Sequence, residues 1–345
     1  MNVSSIIPTF NRSKVLARAI ESALSQLRPS DELIVVDDGS TDGTPELLRS
    51  YADSRLRYIQ QANSGAGAAR NRGAAEARGE LLAFLDSDDE WLPGKLELQR
   101  RLMESRPDVL FCFTDFIREY GGRQHRRSIS SWHTDTRSWQ EIIGVPIDYS
   151  TITGEPKSDG DFAVFIGDIY LGEMFTNYIL TSSLMVRKSA GDAIHFTVGV
   201  RTFEDWECFG RLAARGNAAY LDIETAIQYG HEGPRLTDAD LFTCSEARLV
   251  VLQNVWGSDR AFLASHGQKY AELVRQVKID RIRGLLSLGR TQEARKAIAF
   301  ADKVPLGYRL IAGLPSELTR RLLALRRAVR DRVSTPKSKL SLEAH

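Results

Sequence analysis

Leu33-Ile34-Val35-Val36-Asp37-Asp38-Gly39-Ser40-Thr41-Asp42-Gly43-Thr44 decides how the rest of the chain is read. Four apolar, mostly β-branched residues make a strand that Asp37, Asp38 and Gly39 bring to a stop, and Thr44 to Tyr51 follows with a helical pattern. The same alternation recurs on both sides. Upstream, Val3 to Pro8 reads as a strand, and Lys14 to Leu27 as a helix with Val15, Leu16, Ala19, Ile20, Ala23 and Leu24 on one face. Downstream, Arg57 to Gln60 is a short strand. A Gly-rich stretch from Gly65 to Gly73 opens an Ala-rich helix through Ala77, and Leu81 to Leu85 is a further strand ending at Asp86. Short apolar runs alternating with longer helical patterns are β-α-β units around a mainly parallel sheet.

Beyond this region Trp91, Leu92 and Pro93 are expected to start a helix, and Val109 to Phe113 reads as a buried strand. From Gly121 to Gly172 few elements can be placed. Tyr178 to Arg187 is expected as a strand, Phe203 to Arg215 as a helix with Gly216 as its C-cap, and Ala226 to Tyr229 as a last strand. Leu241 to Tyr308 is helical almost throughout, with a turn at Gly289, Arg290 and Thr291. Leu318 to Val333 places Leu318, Leu322, Leu325 and Val329 on one face and six arginines, Arg320, Arg321, Arg326, Arg327, Arg330 and Arg332, around the remainder. The expected division is therefore 1–115, 116–240, a helical region 241–333 and a disordered tail 334–345.

The chain has 345 residues, of which 42% are apolar, enough to fill a substantial core. Lys and Arg number 46 against 45 Asp and Glu, so the bulk charge gives no reason to expect nucleic acid as a partner. Cys112, Cys208 and Cys244 lie far apart and read as reduced thiols rather than a zinc site. With no basic-then-apolar leader and no stretch near the ~20 apolar residues that span a bilayer, the expected location is the cytoplasm.

Carboxylates recur at the carboxyl ends of successive expected strands, where open α/β sheets place their ligands. Asp37 and Asp38 end one strand; Asp86, Asp88 and Asp89 end another. Like charges converging in one cleft repel unless a cation or hydrogen-bonded ligand compensates them. Mg²⁺ or Mn²⁺ suits the task, taking one or two protein carboxylates and completing its shell from a diphosphate and water. An Asp-Ser-Asp standing alone is more often a helix N-cap or turn former than a metal site, and here it has company. The Gly-rich stretch excludes two common nucleotide motifs: Arg70 stands where a dinucleotide fold has its third glycine, and no Gly-Lys-Ser/Thr is present.

Pro8-Thr9-Phe10-Asn11-Arg12, Val35 to Thr44, Gly65 through Ala69-Arg70-Asn71 to Gly73, and Phe84-Leu85-Asp86-Ser87-Asp88-Asp89 together resemble the family 2 glycosyltransferases of GT-A fold, in order and spacing. The resemblance implies a Rossmann-like α/β/α sandwich with a mainly parallel sheet, carrying a C-terminal helical appendage. It covers residues 3 to 115 closely, continues weakly from Tyr178 to Gly216, and does not extend to the helical C-terminus. It further implies that a nucleoside-diphosphate sugar is the donor, with Thr9 and Asp38 at base and ribose, Asp37 beside them, Arg70 as a further nucleotide contact and Asp86 on the ribose. Pro8, Asn11 and Ser87 complete that set. Asp88 would ligate the metal, and His231 is a second candidate near the diphosphate. The acidic pair Glu204-Asp205 is implied to open a helix after the acceptor region, with Asp205 as the base; a carboxylate there also suits the helix dipole alone.

Trp206, beside that base, is a candidate for stacking on a sugar ring. The favoured carrier is UDP or dTDP, and the acceptor a hydroxyl on a glycan, a lipid-linked molecule or a protein. The Gln-x-x-Arg-Trp motif of processive synthases is missing from the sequence, so one sugar per encounter is expected. The basic C-terminal helix is a candidate for peripheral membrane contact, and a homodimer is left open. Two rivals are a sugar-phosphate nucleotidyltransferase, which should carry a basic Gly-rich loop after the first strand, and a degenerate fold kept for binding, which should have lost part of the acidic set.

Overall fold

The structure is a computed structural model that describes the chain apart from residues 134, 155–159, 201, 231–238, 319–320 and 323–345. Its strands are β1 (Val3–Thr9), β2 (Glu32–Asp37), β3 (Leu56–Gln60), β4 (Leu81–Phe84), β5 (Glu90–Trp91), β6 (Val109–Tyr120), β7 (Arg123–His125), β8 (Ile147–Asp148), β9 (Ala163–Gly167), β10 (Met185–Arg187) and β11 (Asn217–Tyr229). The helices of the same unit are α1 (Leu16–Leu24), α2 (Thr44–Ser50), α3 (Ala66–Glu76), α4 (Lys95–Ser105), α5 (Ile129–Trp132), α6 (Trp139–Ile142), α7 (Tyr149–Thr153), α8 (Tyr170–Phe175) and α9 (Glu204–Ala213).

The sheet runs β3-β2-β1-β4-β10-β6-β11-β9-β8, with β5 paired to β11 and β7 to β6. The block β3-β2-β1-β4 is parallel throughout, as β-α-β winding requires, and β10 enters antiparallel between β4 and β6. Residues Val3, Ile6, Ile7, Leu33 to Val36 and Leu81 to Phe84 are fully or almost fully buried, so the near-continuous apolar runs are explained by a sheet covered on both faces. The apolar core continues from this block into β6 and β11, and β6 passes through residue 115 without a break. Two compact units result, Met1–Pro234 and Arg235–His345.

Three local expectations need correction. Glu90 and Trp91 form a short strand against Ala226 and Ile227 rather than a helix start, because the edge of β11 takes them up; the helix begins at Lys95, after Gly94. Tyr178 to Arg187 is a strand only over its last three residues. Ser183 folds back on the Leu180 carbonyl through both its amide and its hydroxyl, making a 3-10 turn at Thr181–Ser183. Gly216 is not a left-handed cap: α9 ends at Ala213 with a right-handed Ala214, and Gly216 is small because a Cβ there would lie 3.0 Å from that of Leu110.

The second unit holds α10 (Leu241–Val255), α11 (Arg260–Ser287), α12 (Thr291–Ala299) and α13 (Leu306–Ala312). Asp240 and Asp259 cap α10 and α11 with side-chain oxygens, and Gly289, at φ 74°, makes the expected turn before α12. All three cysteines are free; Cys112 and Cys208 are buried and Cys244 half-buried. Among the described residues no helix is long and apolar enough to cross a membrane. The arginine-rich helix expected over Leu318 to Val333 lies largely outside the described residues, as does the tail.

Candidate active site

The register of the sheet brings the expected donor residues to one edge. Thr9 pairs with Asp37 at the carboxyl ends of β1 and β2, and the Asp38 amide donates to the Thr9 carbonyl at 2.8 Å. Leu85, which leads into Asp86, donates to Ile6 on the neighbouring β1. Pro8 and Thr9 are buried, and the Thr9 hydroxyl is a buried polar atom with no hydrogen-bond partner.

Asp37 and Asp38 are both held tightly. Asp37 accepts from the Ser40 amide at 2.9 Å and from the Tyr58 hydroxyl at 3.0 Å. Asp38 accepts from Gln61 Nε2 and the amides of Ser64 and Gly65, at 2.7 to 2.9 Å, and so fixes the loop that opens α3. Asn11, in the left-handed region at φ 52°, accepts from the Thr41 and Asp42 amides and ties the loop after β1 to the loop after β2. Gly39 takes φ 80° where a Cβ would meet the Asn63 backbone at 3.0 Å, which is why the Asp-Asp pair is followed by glycine.

Arg70 joins the two halves of the unit. On α3, 6% exposed, it donates through Nη2 to Asp86 at 2.7 Å and through Nη1 to Glu204 at 2.9 Å. Burial pulls its pKa down, but the carboxylates of Asp86 and Glu204 more than offset this and raise it overall. Next to it, Asn71 exchanges two hydrogen bonds with the backbone of Phe196, at 2.7 and 2.8 Å. A Cβ on Gly67 would lie 2.9 Å from the Thr197 carbonyl oxygen, so the helix approaches this segment closely. The Gly-x-Gly-x-x-Arg-Asn pattern is thereby explained as a clasp between α3 and the segment leading into α9.

Asp205 sits in the first turn of α9. Its carboxyl is pushed up to about 7, first by burial and then by the Glu204 carboxylate, with Arg70 acting in the opposite direction. Thr181 Oγ1 stands 3.5 Å from it. Trp206, by contrast, is 2% exposed and donates through its indole to the Glu173 carbonyl at 2.8 Å; it is a core residue, and the stacking role expected for it fails for want of an open face.

Asp86 receives Arg70, and Ser87 is buried beside it. Asp88 is partly exposed, with Arg12 3.7 Å away, and its carbonyl accepts from Arg18. Among the described residues no three His, Cys, Asp or Glu side chains converge as a metal cage. That donor set does not fit an all-protein site. It fits a cation that takes a carboxylate from the protein and the rest of its shell from substrate. His231 lies outside the described residues.

Two buried acids stand beside the expected set: Asp89, named in the sequence only as part of an acidic strand end, and Glu173, not singled out there at all. Asp89 accepts from the Ser182 hydroxyl at 2.6 Å, and burial together with Asp86 and Asp88 raises its pKa well above the usual range. Glu173 is fully buried, its pKa raised by burial, and its Oε1 has no hydrogen-bond partner. An acidic residue inside an otherwise apolar helical pattern was the available signal for Glu173.

A mainly parallel sheet with helices on it, and acidic residues gathered at its carboxyl edge, define an α/β protein of GT-A type. Residues 4–162 match the family described as Glycosyl transferase family 2. An uncharacterized glycosyltransferase of Rickettsia bellii is 37% identical over 154 residues, 44% of this chain and 22% of that protein. The putative teichuronic acid biosynthesis glycosyltransferase TuaG of Bacillus subtilis is 42% identical over 117 residues, 33% of this chain and 46% of that protein. The chain thus spans less than half the length of these curated relatives. The structure of S. aureus TarS 1-349 in complex with UDP-GlcNAc superposes with a TM-score of 0.56 and 18% identity, covering 86% of this chain and 88% of that one, a likeness of fold.

Proposed function

We propose that the chain is a metal-dependent, inverting glycosyltransferase that moves one sugar per encounter from a nucleoside-diphosphate sugar, with UDP or dTDP as carrier, to a hydroxyl on a glycan, lipid-linked or protein acceptor. The observation that carries this reading is the ion-pair chain Asp86–Arg70–Glu204, which ties the proposed ribose-binding strand end to the neighbour of the proposed base. The family match over residues 4–162 supports transfer chemistry, the name of TuaG supports assembly of a surface polysaccharide, and the UDP-GlcNAc complex of TarS supports a uridine carrier.

In the proposed reaction the acceptor oxygen bonds to the anomeric carbon from the face opposite the diphosphate. The bond from that carbon to the phosphate oxygen breaks, its electron pair leaves with the diphosphate, and the acceptor proton passes to Asp205. A base with a pKa near the working pH is best matched to that step. Asp88 would hold Mg²⁺ or Mn²⁺, which supplies Lewis-acid stabilisation of the departing phosphate. The unpartnered Thr9 hydroxyl offers a hydrogen bond to the base or ribose. The nucleotidyltransferase rival loses support because β1 ends in Pro8-Thr9 and runs into Phe10-Asn11 where its basic Gly-rich loop should be.

A thermal-shift screen of UDP-, dTDP- and GDP-sugars with and without Mn²⁺ tests donor and metal together. A ligand at a hundred times its Kd adds about 2.7 kcal/mol. The expected result is a rise in Tm with UDP- or dTDP-sugars that requires Mn²⁺ and disappears in Asp88→Asn. A rise that EDTA leaves intact would contradict the metal, and no rise with any nucleotide sugar would contradict the donor site.

A further inference from the structure

Helix α1 runs alongside the segment that leaves the Asp86–Asp89 cluster and touches it at regular intervals. Arg18, Ser22 and Gln26 follow one another at i, i+4 spacing, on one face of the helix and the turn that ends it. Arg18 Nη2 donates to the Asp88 carbonyl at 2.6 Å, the Ser22 hydroxyl accepts from the Trp91 amide at 3.1 Å, and Gln26 Oε1 accepts from the Leu96 amide at 3.3 Å. α1 is thus a splint for residues 88–96. Ser22 and Gln26 hold β5 and the start of α4; of the three, Arg18 is the one that reaches the acidic cluster.

The peptide between Asp88 and Asp89 is fixed from both sides. Its N–H donates to the Asp86 carbonyl at 3.0 Å, within the turn, and its carbonyl receives Arg18 from outside it. The guanidinium is itself held. Its carbon lies 3.4 Å from the centre of the Tyr229 ring, and its Nε stands 4.0 Å from Glu90 Oε2, which also accepts from the Tyr229 hydroxyl at 2.7 Å. An aromatic face and a carboxylate both favour the cation in this place, and a hydrogen bond from a charged donor is about twice as strong as a neutral one. With its backbone pinned, the Asp88 carboxylate moves only about its own side-chain torsions. That restriction matters where a cation takes a carboxylate from the protein and the rest of its shell from substrate, because no cage of protein ligands corrects a misplaced one.

We infer that Arg18 is a positioning residue for the metal: clamped between Tyr229 and Glu90, it sets the Asp88 peptide so that the carboxylate meets a cation brought by the diphosphate. The inference rests on the reading of Asp88 as metal ligand. Arg18 touches neither cation nor nucleotide and acts through the Asp88 backbone.

Calorimetric titration of the full chain with UDP, at a series of Mn²⁺ concentrations and in EDTA, tests it. In Arg18→Met, which keeps the aliphatic stem, the Mn²⁺ concentration that gives half the gain in UDP affinity should rise by about 10- to 100-fold, while affinity in EDTA stays at the wild-type value. Arg18→Lys, which retains a cation and a donor, should recover most of that loss. Gln26→Ala removes the rung farthest from Asp88 and should leave the Mn²⁺ midpoint in place. A wild-type midpoint in Arg18→Met, an equal loss of affinity in EDTA, or an equal shift in Gln26→Ala would overturn the inference. Asp88→Asn separates it from the reading beneath it. If Asp88→Asn abolishes the Mn²⁺ effect and Arg18→Met does not, the role of Arg18 alone fails; if Asp88→Asn keeps the effect, the metal assignment fails and the inference falls with it.

Discussion

Arg70 and Glu204 are 134 residues apart in sequence and 2.9 Å apart in space. Because Arg70 also holds Asp86, one buried guanidinium fixes the strand end and the start of α9 in a single geometry. Arg70→Ala strips both carboxylates of their partner, and breaking a buried pair from one side costs about 3–5 kcal/mol. A fall in Tm of that scale is expected in a calorimetric melt; a change within error would mean that solvent replaces Arg70 without penalty.

The neighbouring substitution Glu204→Gln tests electrostatics rather than folding. The Glu204 carboxylate holds the Asp205 pKa up, so its neutral analogue lets that pKa fall. Under the proposed mechanism the carboxylate form of Asp205 is active, and kcat/KM of the wild type rises with pH through about 7. In Glu204→Gln this acid limb should move to lower pH. A lower kcat with an unmoved limb would reduce Glu204 to a structural role.

Lys95 gives a test in stability. It is fully buried against Trp91 and Gln99, and burial depresses its pKa to about 7. Between pH 7 and the usual lysine range the unfolded chain binds the extra proton, so stability increases with pH there. The limiting slope is about 1.4 kcal/mol per pH unit. Plotted against Lys95→Met, the wild type should gain stability from pH 7 to 10 in denaturant titrations. Parallel curves would show that Lys95 finds a counter-charge when buried.

Gly73 packs α3 onto β1: a Cβ there would lie 2.5 Å from Ile6 Cγ2. Gly73→Ala should cost about 1–3 kcal/mol through overpacking. Combined with Ile6→Ala the losses should be less than additive, because the cavity takes up the added methyl. Additive losses in urea titrations would place the cost elsewhere.

How far the sequence alone carries is seen by comparing elements. The parallel block was legible because β2 and β4 are uninterrupted apolar runs that end at aspartate, and β1, β2 and β4 begin and end within a residue or two of expectation. The 3-10 turn at Thr181–Ser183 was not, because its pattern is apolar enough for a strand and its shape depends on Ser183 returning to Leu180. Trp91 depended on a partner strand 135 residues away, which no local pattern reveals. In the site, the motif glycines and acids announced themselves, whereas the partnership of Arg70 with Glu204 could be seen only in three dimensions. Glu204 was read as a companion of Asp205, and its ion pair assigns it a second function.

Donor binding and transfer in Asp205→Asn test the central claim, that one cleft joins a nucleotide-sugar site to a separate base. The amide preserves shape and cannot take the acceptor proton, so kcat should fall by roughly a hundredfold to ten-thousandfold, while calorimetry returns the wild-type Kd for the donor. A variant that transfers at the wild-type rate, or that loses donor affinity in step with activity, would contradict the account.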